Sequence, residues 1–193
     1  MSATLGILML DTHFPRSLGD IGLPGGFAFP VRHNTVARAY LAPVARAGDP
    51  ALLKPLVVAA RTQVDECAVA LATRCGLLAH RQRELLTVLP VPIWSSILLL
   101  LHRLQAKRPG VITIQAPSLT RVHLETIDAH PATPCEGVSS RRAVHRTLLQ
   151  DRTELAPVDV QTLEQATQVV VHHIVSMLHR RMASLSVGQG AGA

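Results

Sequence analysis

A chain of 193 residues that is 48% hydrophobic can bury one good-sized domain or two small packed lobes of roughly 100 residues each. Its three cysteines, Cys67, Cys75 and Cys135, are too few for a disulfide framework and are expected to be reduced, in a cytoplasm; an aromatic content of 3% leaves no stacking platform for single-stranded nucleic acid. The net charge of +6 is divided among short clusters such as Arg141-Arg142 and His179-Arg180-Arg181, which read as a solvated basic face, so neither nucleic acid nor a membrane is expected as a partner.

Along the chain, apolar runs of Val, Ile and Leu alternate with helical stretches, the rhythm of an α/β protein with mainly parallel sheets flanked by helices. Met1-Ser2-Ala3-Thr4 carries no basic region ahead of an apolar core, so no secretory signal is expected. Strands are predicted at Leu5 to Leu10, Cys67 to Thr73, Val91 to Trp94, Val111 to Gln115 and Thr133 to Val138. Helices are predicted over Ala51 to Asp65, Leu77 to Leu86, Ser96 to Gln105, Thr120 to Ala129 and Gln161 to Arg181. Between the first strand and the first helix, Phe14 to Arg32 is dense in Pro and Gly, resists both helix and strand, and reads as a loop covering a substrate. The longest apolar stretch, Val88 to Leu101, is interrupted by Pro90, Pro92, Ser95 and Ser96; it reads as a buried strand running into a helix rather than a bilayer span. A boundary near Lys107-Arg108-Pro109-Gly110 divides a first lobe, 1–108, from a second, 109–185, followed by a glycine-rich tail, 186–193, expected to be disordered.

In a parallel sheet ligands gather beyond the carboxyl ends of the strands. The residues there are Asp11 and Thr12 after the first strand, Thr73 and Cys75 after the second, Ser95 and Ser96 after the third, and Gln115, Ser118 and Thr120 after the fourth. These hydroxyl and amide groups suit a small anion held beside a titratable sulfur. Cys75 follows the apolar run Ala68 to Ala72 and precedes a helix, whose positive end would draw the thiol pKa from roughly 8.5 toward neutrality.

Plainer roles exist for each of these residues. A free cysteine is often a core residue, and Asp11 could cap a turn. Cys67, opening the strand that leads to Cys75, is expected to be buried. His172, His173 and His179 have no Cys, Asp or Glu nearby to complete a metal site, so no metal is expected. Ser95-Ser96 lacks the Gly-x-Ser-x-Gly turn of a hydrolase nucleophile, and Gly25-Gly26 follows no strand that would make it a phosphate loop. His80 and His13 are not placed by spacing as partners of the thiol.

Leu8-Met9-Leu10-Asp11-Thr12, Phe14-Pro15-Arg16, Gly19-Asp20-Ile21-Gly22, Phe29-Pro30-Val31 and Thr73-Arg74-Cys75-Gly76, in that order, resemble the aspartate/glutamate racemase family, a likeness that runs from Leu5 to about Gln168. The resemblance implies a cofactor-independent isomerase of two similar α/β lobes with the active site in the cleft between them. In that family two cysteines face opposite sides of a substrate α-carbon and exchange its proton. Cys75 matches the first of them, Asp11 the acidic residue that supports it, and Thr12 a neighbour that helps hold the substrate carboxylate. Thr73, Gly76, Ser95 and Thr120 would add donors for the small carboxylate or amino-acid substrate.

The second family cysteine has no counterpart, because after Gln168 the chain reads Val169 to Met177 through His172 and His173. A truncated or frame-disrupted second lobe is therefore expected, which would leave apolar surface favouring a homo-oligomer. Two alternatives to a racemase follow: an impaired relative that binds a small carboxylate, and a one-cysteine decarboxylase or isomerase.

Overall fold

The structure is a computed structural model that describes residues 3–16, 20–25, 27–40, 50–107, 109–137, 148–151 and 153. Its first sheet has four parallel strands, β1 (Thr4–Leu10), β2 (Val31–Val36), β3 (Ala68–Thr73) and β4 (Ile93–Trp94), in the order β2-β1-β3-β4. The residues from Gly6 to Leu10 are buried, as expected of a strand with neighbours on both edges and apolar cover on its faces. Leu8 stands opposite Asn34 on β2 and Thr73 on β3. The α/β class expected from the sequence is thus observed as parallel strands flanked by helices.

Helix α1 (Leu53–Asp65) joins β2 to β3 and turns Leu56, Ala59, Ala60 and Gln63 toward the sheet, a spacing of three and four that keeps them on one face. It ends at Glu66, after which Cys67 takes φ 72, the left-handed conformation common just past a helix. Cys67 is consequently an exposed turn residue and not the buried start of β3. The helix expected from Leu77 to Leu86 is a 3-10 segment, Gly76–Arg81, continuing into α2 (Gln82–Val88). After β4 come the 3-10 turn Ile97–Leu99, α3 (Leu100–Leu104) and a further 3-10 turn, Gln105–Lys107.

A second sheet pairs β5 (Val111–Thr113) with β6 (Cys135–Gly137) in parallel, with α4 (Arg121–Glu125) between them. Both strands are shorter than the apolar runs suggested, and α4 is half the length expected of Thr120 to Ala129. The expected helix over Gln161 to Arg181 and the tail lie outside the described residues.

Two apolar clusters hold these pieces. One gathers Leu8, Leu10, Val36, Leu56, Ala60, Leu71, Leu78, Leu85 and Ile93 around the first sheet. The other joins Ala79, Leu98 and Leu101 to Val111, Leu124 and Ile127 around the second. Each fully buried Leu or Ile contributes roughly 1.5–3 kcal/mol. Ala79 belongs to the second cluster while its neighbour Leu78 belongs to the first, so the short helix after Cys75 is packed from both sides. Among the described residues no helix is long and apolar enough to cross a membrane.

Strand β2 departs from the sequence expectation. Between Val31 and Val36 its sequence is polar, and the polar groups are satisfied outside the sheet. His33 meets the Ile21 carbonyl through Nε2 at 3.0 Å, and Asn34 donates to the Ala59 carbonyl at 3.2 Å. The covering loop expected from Phe14 to Arg32 is therefore shorter at its end and leads straight into an edge strand.

Candidate functional site

From β1 the chain goes first to β2 on one side and then, through α1, to β3 on the other. This reversal of direction makes the carboxyl ends of β1 and β3 the switch point of the sheet, the place where α/β proteins gather ligands. Asp11 and Thr12 follow the first of these strands, Arg74 and Cys75 the second. The Arg74 amide still donates to Leu8 O at 3.0 Å, so the pairing of the two strands reaches the residue before the thiol.

Cys75 is the N-cap of the Gly76–Arg81 turn and is 6% exposed, packed within the first apolar cluster. Burial pushes its thiol up to about 11; the amides of Leu77 and Leu78 and the charge of Arg74 pull the other way without prevailing. The helix-end effect anticipated from the sequence is present, but desolvation exceeds it. At neutral pH Cys75 is a protonated thiol, not the near-neutral acid expected.

The expected hydroxyl donors divide. Thr73 gives its hydroxyl proton to Ser95 O at 2.6 Å and accepts the Cys75 amide at 3.3 Å, which braces the cysteine turn. Ser95 is fully buried; its amide donates to Gln82 Oε1 at 2.8 Å, and its Oγ has no hydrogen-bond partner among the described residues. Ser96 caps the next turn by accepting the Leu98 amide at 3.0 Å and donates to Gly76 O. Around Gly76 there is open space, since a Cβ placed there would meet nothing within 4 Å.

Thr120 is committed elsewhere. It caps α4, with its amide 3.1 Å from His123 Nδ1 and its hydroxyl 2.9 Å from the same atom. His123 is fully buried and meets His80 edge to face, with ring centroids 5.2 Å apart. Burial holds both imidazoles below their ordinary range, so both are neutral.

Asp11 accepts the Arg38 amide at 3.4 Å, and Thr12 accepts from Arg16 Nη2 at 3.3 Å. Asp20 forms a two-point pair with Arg74, and its Oδ1 also accepts the Gly22 amide at 2.7 Å. Burial would raise the Asp20 carboxyl, but the Arg74 bonds, the Gly22 amide and the charges of Arg74 and Arg16 outweigh it and hold it below its ordinary range. The Phe14 ring meets both guanidinium groups, with its centroid 4.8 Å from Arg74 Cζ and 5.5 Å from Arg16 Cζ. Arg16 Nη1 is 4.0 Å from Asp20 Oδ2, beyond hydrogen-bond reach, and is buried with no hydrogen-bond partner among the described residues. Two cations thus share one carboxylate.

At the end of β1, His13 Nδ1 lies 2.8 Å from Asp151 Oδ2, while Asp151 Oδ1 accepts the amides of His13 and Phe14. His13 Nε2 is 3.9 Å from Asp11 Oδ1. The bond and charge of Asp151 hold the His13 imidazole above its ordinary range; at Asp151 itself burial works upward, and the bonds from His13 and Phe14 bring the carboxyl below its range.

The sequence pattern places Asp11, Thr12, Thr73, Cys75 and Gly76 at neighbouring strand ends, whereas the Arg16, Asp20 and Arg74 bracket and the His13–Asp151 pair emerge only in the fold. The first had a signal, charged residues set inside a Pro- and Gly-rich loop. The second had none, because its partners are 138 positions apart. Among the described residues no three His, Cys, Asp or Glu side chains gather as a metal site.

No family model matches the chain, and no curated protein matches it. Among solved structures, an aspartate racemase homologue from Pyrococcus horikoshii is similar over 78% of this chain and 69% of its own, at 12% sequence identity and a TM-score of 0.44. The α/β class rests on this chain's own strand order and register.

Proposed function

We propose that this chain is a cofactor-independent, racemase- or epimerase-like isomerase acting on a small carboxylate-bearing substrate, with Cys75 transferring the α-proton. The observation that carries this reading is the thiol beyond the carboxyl ends of β1 and β3, next in sequence to Arg74, which shares the Phe14 ring with Arg16, a guanidinium whose buried Nη1 has no hydrogen-bond partner among the described residues. A carboxylate is the best acceptor for such a donor, and Thr12 Oγ1 stands at the neighbouring Nη2. A thiol held up to about 11 rests as a proton donor, and the nearby charge of Arg74 favours the thiolate formed when it has given its proton away.

The test is proton NMR in heavy water on L- and D-amino acids and hydantoins, with the native protein and Cys75→Ser in parallel. Loss of the α-proton signal with native protein alone supports the reading; no exchange on any substrate by folded protein rejects it.

The burial of Cys75 among Leu8, Leu71 and Leu78 favours a second reading, a relative that binds a small carboxylate without turning it over. Under that reading Cys75→Ala keeps ligand affinity, measured by calorimetry, within about twofold of native, since no bond to the ligand is lost.

A further inference from the structure

Asp151 is carried onto the turn that follows β1, where it meets the His13 ring and the amides of His13 and Phe14. An ionised carboxylate only accepts, so Nδ1 of His13 carries the proton and the ring's orientation is set. Nε2 is then the working nitrogen. It faces Asp11 at 3.9 Å, on a side chain 62% exposed. A carboxylate that fixes one ring nitrogen while the other meets solvent is the arrangement by which an imidazole serves as a general base. The turn lies at the carboxyl end of β1, and the neighbouring strand β3 ends at Thr73, two residues before Cys75.

We infer that His13, oriented by Asp151, is the second proton-transfer group at this switch point of the sheet, acting on the substrate α-carbon from the face opposite Cys75; the inference rests on the isomerase reading above. In one direction, neutral His13 Nε2 takes the α-proton and the C–H electron pair passes into the substrate carboxylate as an enediolate. The Cys75 S–H then gives its proton to the other face of the carbon, the pair returns to the new C–H bond, and the thiolate remains. Imidazolium and thiolate are the starting state for the opposite direction, in which the thiolate takes the proton and His13 returns one. Nothing is oxidised or reduced and no co-reactant enters. Among the described residues the charged groups facing His13 are Asp151 and Asp11, both favouring imidazolium, while Arg74 favours thiolate, so each half of the exchanged pair has its counter-charge. Asp151 acts through His13 and is a positioning residue.

The experiment follows α-proton exchange in heavy water from each enantiomer separately, using the full chain as native, His13→Gln, Cys75→Ser and Asp151→Asn, alongside an NMR titration of the His13 ring. Native protein should exchange both enantiomers and interconvert them. His13→Gln should lose exchange from one enantiomer and Cys75→Ser from the other, each by about 100-fold or more, and neither should interconvert them. Asp151→Asn should lower the His13 titration and carry the acid limb of the rate profile with it. Full exchange of both enantiomers by His13→Gln overturns the role of His13 and leaves the isomerase reading standing. An unchanged His13 titration in Asp151→Asn overturns the pairing. No exchange by native protein overturns the isomerase reading and, with it, the role given to His13.

Discussion

Arg74 grips Asp20 across 54 positions of chain, Nε to Oδ1 at 2.7 Å and Nη2 to Oδ2 at 2.5 Å, with both side chains less than a fifth exposed. Planar two-point pairing of this kind is directional as well as strong. It fixes the loop after β1 against the residue that precedes the thiol.

Asp20→Asn should therefore destabilise the fold by about 1–3 kcal/mol, read as a shift of the urea midpoint at neutral pH. The Asp20 carboxyl is held below its ordinary value of 3.8. Its contribution is full above that pH and fades as pH falls through the lower folded value. The variant should lack this acid dependence.

Alkylation should separate the cysteines. With a thiol near 11, about one Cys75 in a thousand is ionised at pH 8, and its sulfur is buried, whereas Cys67 is exposed. Mass spectrometry after iodoacetamide should find Cys67 modified at least tenfold faster. Equal rates would contradict the burial of Cys75.

Two glycines should respond in opposite ways. Gly76→Ala adds a methyl group to open space and should fold with stability unchanged or raised by up to about 1 kcal/mol. A ligand that enters that space would then be bound less well. At Gly22 a Cβ would meet Met9, Arg74 and Arg16, so Gly22→Ala should lower the thermal midpoint and loosen the arginine bracket.

Buried His123, neutral in the fold, titrates below its ordinary 6.5, chiefly through desolvation. The unfolded chain takes up that proton first, so stability should fall as pH drops below about 6.5 and toward the lower folded value. His123→Gln keeps a side-chain acceptor for the Thr120 amide and removes the titration. Its stability should be flatter below pH 6.5 than that of native protein.

Much of this architecture is legible from residues alone. The runs ending at Leu10, Thr73 and Trp94 mark strands because parallel strands covered by helices are largely apolar, and α1 shows itself through the apolar positions Leu52, Leu53, Leu56 and Val57. Strand β2 hides because its polar side chains find partners in α1 and the preceding loop. The titration of Cys75 could not be read either, since a helix end is visible in sequence while the apolar shell of Leu8, Leu71 and Leu78 exists only after folding. The same is true of His13, whose neighbour in space is remote in sequence.

That remoteness shapes how the molecule comes together. The His13–Asp151 contact closes a loop of 138 residues, whereas α1 and the pairing of β1 with β2 close far shorter ones. Loop-closure entropy favours the short closures first, so the imidazole is expected to meet its carboxylate only after the apolar clusters have drawn the chain together. A contact absent from the folding transition state acts on the escape rate alone. Asp151→Asn should accordingly leave refolding unchanged and speed unfolding in stopped-flow measurements, and slower refolding would show that the pair forms early.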